Sequence, residues 1–83
     1  MLLTTVESST LAVVAYEASS QVLWLEFRSG TLYRYFDVPP AIHQNLIQAA
    51  SKGAYFNRII RGRFLYRREA HSFRQSPGSS SQP

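Results

Sequence analysis

Aromatic and β-branched residues cluster between Val22 and Pro40, where Val22-Leu23-Trp24-Leu25-Glu26-Phe27 and Thr31-Leu32-Tyr33-Arg34-Tyr35-Phe36 flank the break Arg28-Ser29-Gly30. Two aromatic-rich runs around a short glycine-containing break predict a β-hairpin. The length of the turn decides which residues face the core. A two-residue Ser29-Gly30 loop places Trp24 opposite Tyr35 and Leu25 opposite Arg34, gathering Trp24, Tyr33 and Tyr35 on one face. A three-residue loop, with Gly30 as the left-handed residue of a bulge, pairs Phe27 with Thr31 instead. Leu23, Leu25 and Phe27 then share a face with Tyr33 and Tyr35, and Trp24, Glu26, Leu32, Arg34 and Phe36 take the other. The second register is preferred: the first buries the Arg34 charge among leucines, and the second puts Gly30 where positive φ is needed.

The remaining pattern extends the hairpin. Residues 6–10 form a polar lead-in, and Leu11-Ala12-Val13-Val14-Ala15-Tyr16, apolar on both sides, reads as a central or doubly covered strand, joined to the hairpin through a turn at residues 17–21. After Asp37-Val38-Pro39-Pro40, Ile42, Leu46 and Ala49 recur at helical spacing, with Asp37 a candidate cap. Gly53 is expected to stop this helix in the left-handed conformation. Phe56, Ile59 and Ile60 predict a short second helix over residues 55–61, broken by Gly62, and the alternation in Arg63-Phe64-Leu65-Tyr66-Arg67 suggests a fourth, edge strand. The fold expected is α+β: a small antiparallel meander of three to four strands, with one helix and a short second helix packed on one face. Residues 1–70 make a single domain, and residues 71–83, rich in Ser, Pro and Gly, have the composition of a disordered tail.

Composition narrows the function classes. A chain of 83 residues without cysteine can form neither disulfides nor a Cys-based zinc site. No apolar run approaches a membrane span, and Met1-Leu2-Leu3-Thr4-Thr5 lacks the basic start and long apolar core of a signal peptide, so a cytoplasmic protein is expected. The net charge of +4 is unevenly spread, at −2 through Ala50 and +6 from Ser51 onward. Six of the seven later cations are arginine, whose planar fork suits phosphate and stacks on flat rings. An anionic partner and a merely solvated basic face are both compatible with that asymmetry.

A family resemblance emerges from several separated residues. Ser8-Ser9, Tyr16, Leu23-x-Leu25-x-Phe27-x-x-Gly30-x-x-Tyr33-x-Tyr35-x-x-Val38-Pro39 and Leu46-x-x-Ala49-x-Ser51-x-Gly53-x-Tyr55-Phe56-Asn57-x-x-Ile60-Arg61 resemble the KTSC domain, a short bacterial module. That module occurs at the C-terminus of some lysyl-tRNA synthetases and as a stand-alone protein. The likeness covers roughly residues 6–68, and His43 stands where a hydrophobic or aromatic residue is expected. By attachment to a tRNA-handling enzyme, the resemblance implies RNA binding, which is an associational argument.

Candidate chemistry is correspondingly non-catalytic. His43, read as a helix-surface residue, and His71 have no carboxylate at ligand spacing, there is no thiol, and Ser8-Ser9 lacks a nucleophile elbow, so no catalytic residue, metal or cofactor is expected. Tyr33 and Tyr35 have the spacing by which a sheet stacks bases, or are core rings with hydroxyls at the edge. Trp24 opposite Arg34 suggests a cation–π pair or a stacking surface. If Tyr55 opens the second helix, its amides with Arg58 and Arg61 suit a phosphate. The leading expectation is a nucleic-acid-binding module, RNA in preference to DNA, using Arg58, Arg61, Arg63, Arg67 and Arg68 with Trp24, Arg34 and Tyr66. The alternative is a protein-interaction module using the Trp24 face or an open sheet edge; a monomer is expected, with no membrane association.

Overall fold

In the computed structural model, which describes residues 1–70 and Phe73, five strands run as one antiparallel sheet in sequence order: β1 (Leu2–Thr5), β2 (Leu11–Glu17), β3 (Val22–Phe27), β4 (Leu32–Tyr35) and β5 (Tyr66–Glu69). Between β4 and β5 lie α1 (Pro40–Gln48) and α2 (Lys52–Tyr55), the latter continuing as a π-helical segment, Phe56–Ile60. The α+β class is as expected; the sheet has five strands rather than three or four.

The β3–β4 turn has the three-residue form. Phe27 N–H donates to Thr31 O at 2.9 Å, Gly30 N–H donates back to Phe27 O at 2.9 Å, and Gly30 adopts φ 97°. Leu23 therefore lies opposite Tyr35, Trp24 opposite Arg34, and Leu25 opposite Tyr33. In β2 a bulge at Ala12 shifts the register between Leu11 and Val13, so that Leu11 pairs with Phe27 while Val14 pairs with Leu25. The extra residue lets Leu11 and Val14 join one core, an odd spacing that strict alternation forbids.

That core lies between the sheet and the helices. Leu23, Leu25, Leu46, Val38 and Ile60 are fully buried in it, with Tyr16, Tyr35 and Phe56 nearly so. At about 25 cal/mol per Å², burial of each such leucine or isoleucine contributes roughly 1.5–3 kcal/mol. Tyr16 Oη donates to Val38 O at 2.5 Å, and Val38 N–H donates to Gln21 O at 2.8 Å, which anchors the approach to α1. The opposite face of the sheet carries Val13, Ala15, Trp24, Glu26, Leu32 and Arg34. Glu26 is fully buried there, and Phe73 N–H donates to its Oε1 at 2.6 Å. Apart from Phe73, the expected tail at residues 71–83, including His71, lies outside the described residues.

Several local expectations are corrected. Asp37 does not cap α1; it takes φ 57° in the approach, and Pro39 occupies the N-cap with Pro40 in the first turn. Gly53 does not end α1, which stops at Gln48, but lies inside α2, whose N-cap Ser51 accepts from Ala54 N–H at 3.2 Å. Glycine is required at 53 by crowding: a Cβ there would stand 2.6 Å from Thr10 Oγ1 and 3.1 Å from Thr10 Cβ. The fourth strand of the sequence reading begins later, at Tyr66, because Gly62, with φ 79°, is followed by a turn. His43 is not a surface residue. It is 7% exposed, and its ring stacks on Tyr16 with centroids 4.6 Å apart. An aromatic residue is wanted at 43 because the ring faces the sheet, and histidine supplies the flat surface at the cost of burying a titratable group.

Replacing Gly53 by Ala is expected to destabilise the fold by about 1–2 kcal/mol through overpacking against Thr10, net of the better helix propensity of alanine. Thr10→Ala should recover part of the loss in the double variant; additive denaturant midpoints would show the contact is not limiting. Burial also holds the His43 imidazole below its ordinary range. As pH falls below about 6.5 the unfolded chain takes a proton that the folded chain resists, so stability falls in acid until the lower folded pKa is passed. Urea titrations at neutral pH and near pH 5 should show wild type losing more stability than His43→Phe, which keeps the stacked ring without the titration; parallel losses would contradict this.

Candidate nucleic-acid interface

Register and helix placement together open an aromatic cleft at the β4–β5 end of the helix-covered face. Phe27, Tyr33, Tyr35, Phe56 and Tyr66 line a depression of about 530 Å³ whose rim includes Asn57 and Arg61. The rings meet edge to face or tilted, with centroids 5.2 Å apart for Phe27–Phe56, 5.5 Å for Tyr33–Tyr66 and 5.6 Å for Tyr35–Tyr66. These are favourable aromatic geometries, and they leave Tyr66 projecting, 59% exposed. A second, shallower depression of about 390 Å³ adjoins it, lined by Gly62, Arg63, Phe64, Leu65 and Tyr66. Tyr66 thus stands between two concavities, one bordered by Arg61 and the other by Arg63.

The helical segment beside the cleft is unusual. From Phe56 to Ile60 the backbone is π-helical, closed by Arg61 N–H donating to Phe56 O at 2.8 Å. Phe56 and Ile60 point into the core while Asn57 and Arg61 remain outside, joined by Arg61 Nη1 donating to Asn57 Oδ1 at 3.5 Å. Such segments are rare and recur at functional sites. Burial, reinforced by the neighbouring Tyr33 and Tyr66 hydroxyls, pushes the Tyr35 phenol up to about 12, while Arg61 draws it the other way. At neutral pH the cleft therefore presents the neutral Tyr35 phenol, flat carbon surfaces and a guanidinium. Such a surface can stack a planar ring and hold an adjacent phosphate.

The sequence-selected residues divide between two faces. Side chains alternate along β5, so Tyr66 and Arg68, opposite Tyr35 and Tyr33, belong to the cleft face. Exposed Arg58, Arg61 and Arg63 lie on the π-helical segment and the turn after it. Trp24, Arg34 and Arg67 occupy the other face, in one row across β3, β4 and β5. Arg34 does not serve Trp24 as expected. Its guanidinium lies over the Phe36 ring, 5.3 Å from the centroid, and its Nε is 2.8 Å from Glu69 Oε2. That pair is held by charge without a well-aligned hydrogen bond, and it offsets the like charge of Arg67 directly across the ladder. Nor do the Tyr55 amides await a phosphate: α2 begins at Lys52, and Tyr55 N–H already donates to Ser51 O at 3.0 Å.

Phe27 and Phe56 also floor the cleft, and Asn57 lies at its rim. The signal available was the run Tyr55-Phe56-Asn57 following Gly53. Ser8 plays a structural part, its Oγ accepting from Thr10 and Leu11 N–H at 3.0 and 3.1 Å and so turning the lead-in toward β2. Arg28 fastens the same lead-in from the hairpin turn, donating to the Ser8 and Val6 carbonyls. Among the described residues, no three His, Cys, Asp or Glu side chains cluster to hold a metal ion, and no helix is long and apolar enough to cross a membrane.

A small antiparallel sheet, covered on one face by two short helices that close over an aromatic cleft, defines the class of module. The chain belongs to the KTSC domain family, which matches residues 7–64. A lysine–tRNA ligase of Nostoc punctiforme is 43% identical over 60 residues, 72% of this chain but only 11% of the ligase's own length. An uncharacterized protein of Stutzerimonas stutzeri is 44% identical over 55 residues, 66% of this chain and 78% of that one. The crystal structure of a KTSC domain protein from Yersinia pestis superposes with a TM-score of 0.79 at 35% identity, covering 82% of this chain and 96% of that one.

Proposed function

We propose that this domain is a non-catalytic module that binds single-stranded RNA along the cleft face. The observation that carries the reading is the position of Tyr66, an exposed ring between two depressions, one bordered by Arg61 and the other by Arg63. Arg61, Arg63 and Arg68 meet successive phosphates, Arg58 extends the same positive surface, and Tyr66 stacks a base. Stacking needs an unpaired base, which favours a single strand over a duplex. RNA rather than DNA is supported by the relative named as a lysine–tRNA ligase. Trp24, Arg34 and Arg67 lie on the other face and take no part in this contact.

Titration with mixed-sequence single-stranded RNA, followed by amide-resolved NMR at low and moderate salt, tests the proposal. Shifts should centre on residues 57–68, and log K should fall with log salt by about 0.7 per phosphate contact. The pair Arg61→Ala and Arg68→Ala should weaken binding about ten-fold or more and flatten the salt slope by about 1–2 units. Trp24→Ala and Arg67→Ala should leave affinity within about two-fold, since those side chains lie on the opposite face. No shifts at low salt, or full affinity in the Arg61/Arg68 double variant, would overturn the reading.

A further inference from the structure

The two edges of the sheet are treated differently by the sequence. β5 closes one edge with Arg67, Arg68 and Glu69, charges of the kind that discourage edge-to-edge pairing. β1 closes the other with Leu2-Leu3-Thr4-Thr5, which has no charge, no proline and no bulge. Its outward backbone edge faces no strand among the described residues. Met1, Leu2 and Leu3 are 68%, 61% and 49% exposed. Beside β1, on the helix-covered face, a groove of about 700 Å³ opens between the strand and α1, lined by Leu2, Tyr16, His43 and Ile47. His43 Nε2 is buried there without a hydrogen-bond partner.

We propose that the chain pairs with a second copy of itself through β1, two antiparallel β1 strands joining two sheets into one of ten strands about a two-fold axis. An open strand edge is satisfied by another strand, because only a strand offers backbone donors and acceptors at matching spacing. Charge selects the copy as the occupant. Two β1 strands meet with no charged side chain between them, whereas pairing through β5 would set Arg67 and Arg68 against their equivalents. β1 is also the strand farthest from the basic end of the sheet. At about 4.8 Å per strand, the two arginine-rich ends of the dimer stand roughly 40 Å apart, several Debye lengths at physiological salt. A foreign acidic partner would be drawn to that basic end instead. Each groove then receives apolar side chains from the partner's N-terminal strand.

This inference stands independently of RNA binding. Sedimentation of the full chain from micromolar to millimolar concentration should show mass rising from one chain to two. Leu3→Lys should raise the dissociation constant ten-fold or more, and Arg68→Ser should leave it unchanged. Because the chain has no cysteine, a short bismaleimide provides a second readout that does not depend on a charged variant folding. Leu3→Cys should cross-link to a dimer far faster than Ser20→Cys in the β2–β3 turn. A single-chain mass at the highest concentration, association that survives Leu3→Lys in a folded variant, or equal cross-linking at both positions would overturn the proposal.

Discussion

The turn between Phe27 and Thr31 constrains the rest of the molecule. Gly30 takes a left-handed conformation that is costly for any side-chain-bearing residue, and this adds one residue to the loop relative to the tightest hairpin. That added residue fixes Leu25 opposite Tyr33 and Leu23 opposite Tyr35. A slip by one position would carry Arg34 into the core and take the tyrosines away from Phe27 and Phe56. Arg28, in the same turn, reaches back to the Val6 and Ser8 carbonyls. The hairpin therefore sets both its own register and the path of the segment entering β2.

What is legible in the sequence follows from strong local rules. The hairpin, the helix after Pro39-Pro40 and the Gly62 break rest on period, proline geometry and glycine freedom, each acting over a few residues. What is not legible depends on distant partners. β1 is four residues with no burial pattern of its own, and only pairing with β2 makes it a strand. Gly53 misleads because a helix terminator and a site of close approach ask for the same residue, and only the fold brings Thr10 beside it. The π-helical segment adds a residue to a turn without a side-chain signature, and His43 looks polar until Tyr16 lies against it.

The candidate interface is half legible for a related reason. Arginine enrichment after Ser51 is a property of the chain and can be read directly. Which arginines share a face is a property of the sheet. Arg67 and Arg68 are neighbours in sequence yet project to opposite faces, so one lies on the face that carries the cleft while the other stands across from Arg34. The same alternation separates Trp24 from Tyr66. A basic segment thus contributes its charges selectively, and Glu69 neutralises part of the face turned away from the cleft.

Sequential strand order has a kinetic meaning. Every strand pairs with its predecessor, and the pairings from β1 to β4 each close only a short loop, which keeps contact order low over most of the sheet. A longer side-chain tie joins residues already brought near by that process, Tyr16 to Val38, 22 positions apart, whereas the tie of Glu26 to Phe73, 47 apart, forms only once β5 is in place. A chain emerging N-terminus first can lay down β1 to β4 as a growing ladder, then seat the helices, and close with β5. Assembly in the order of synthesis exposes each new edge only until the next strand arrives.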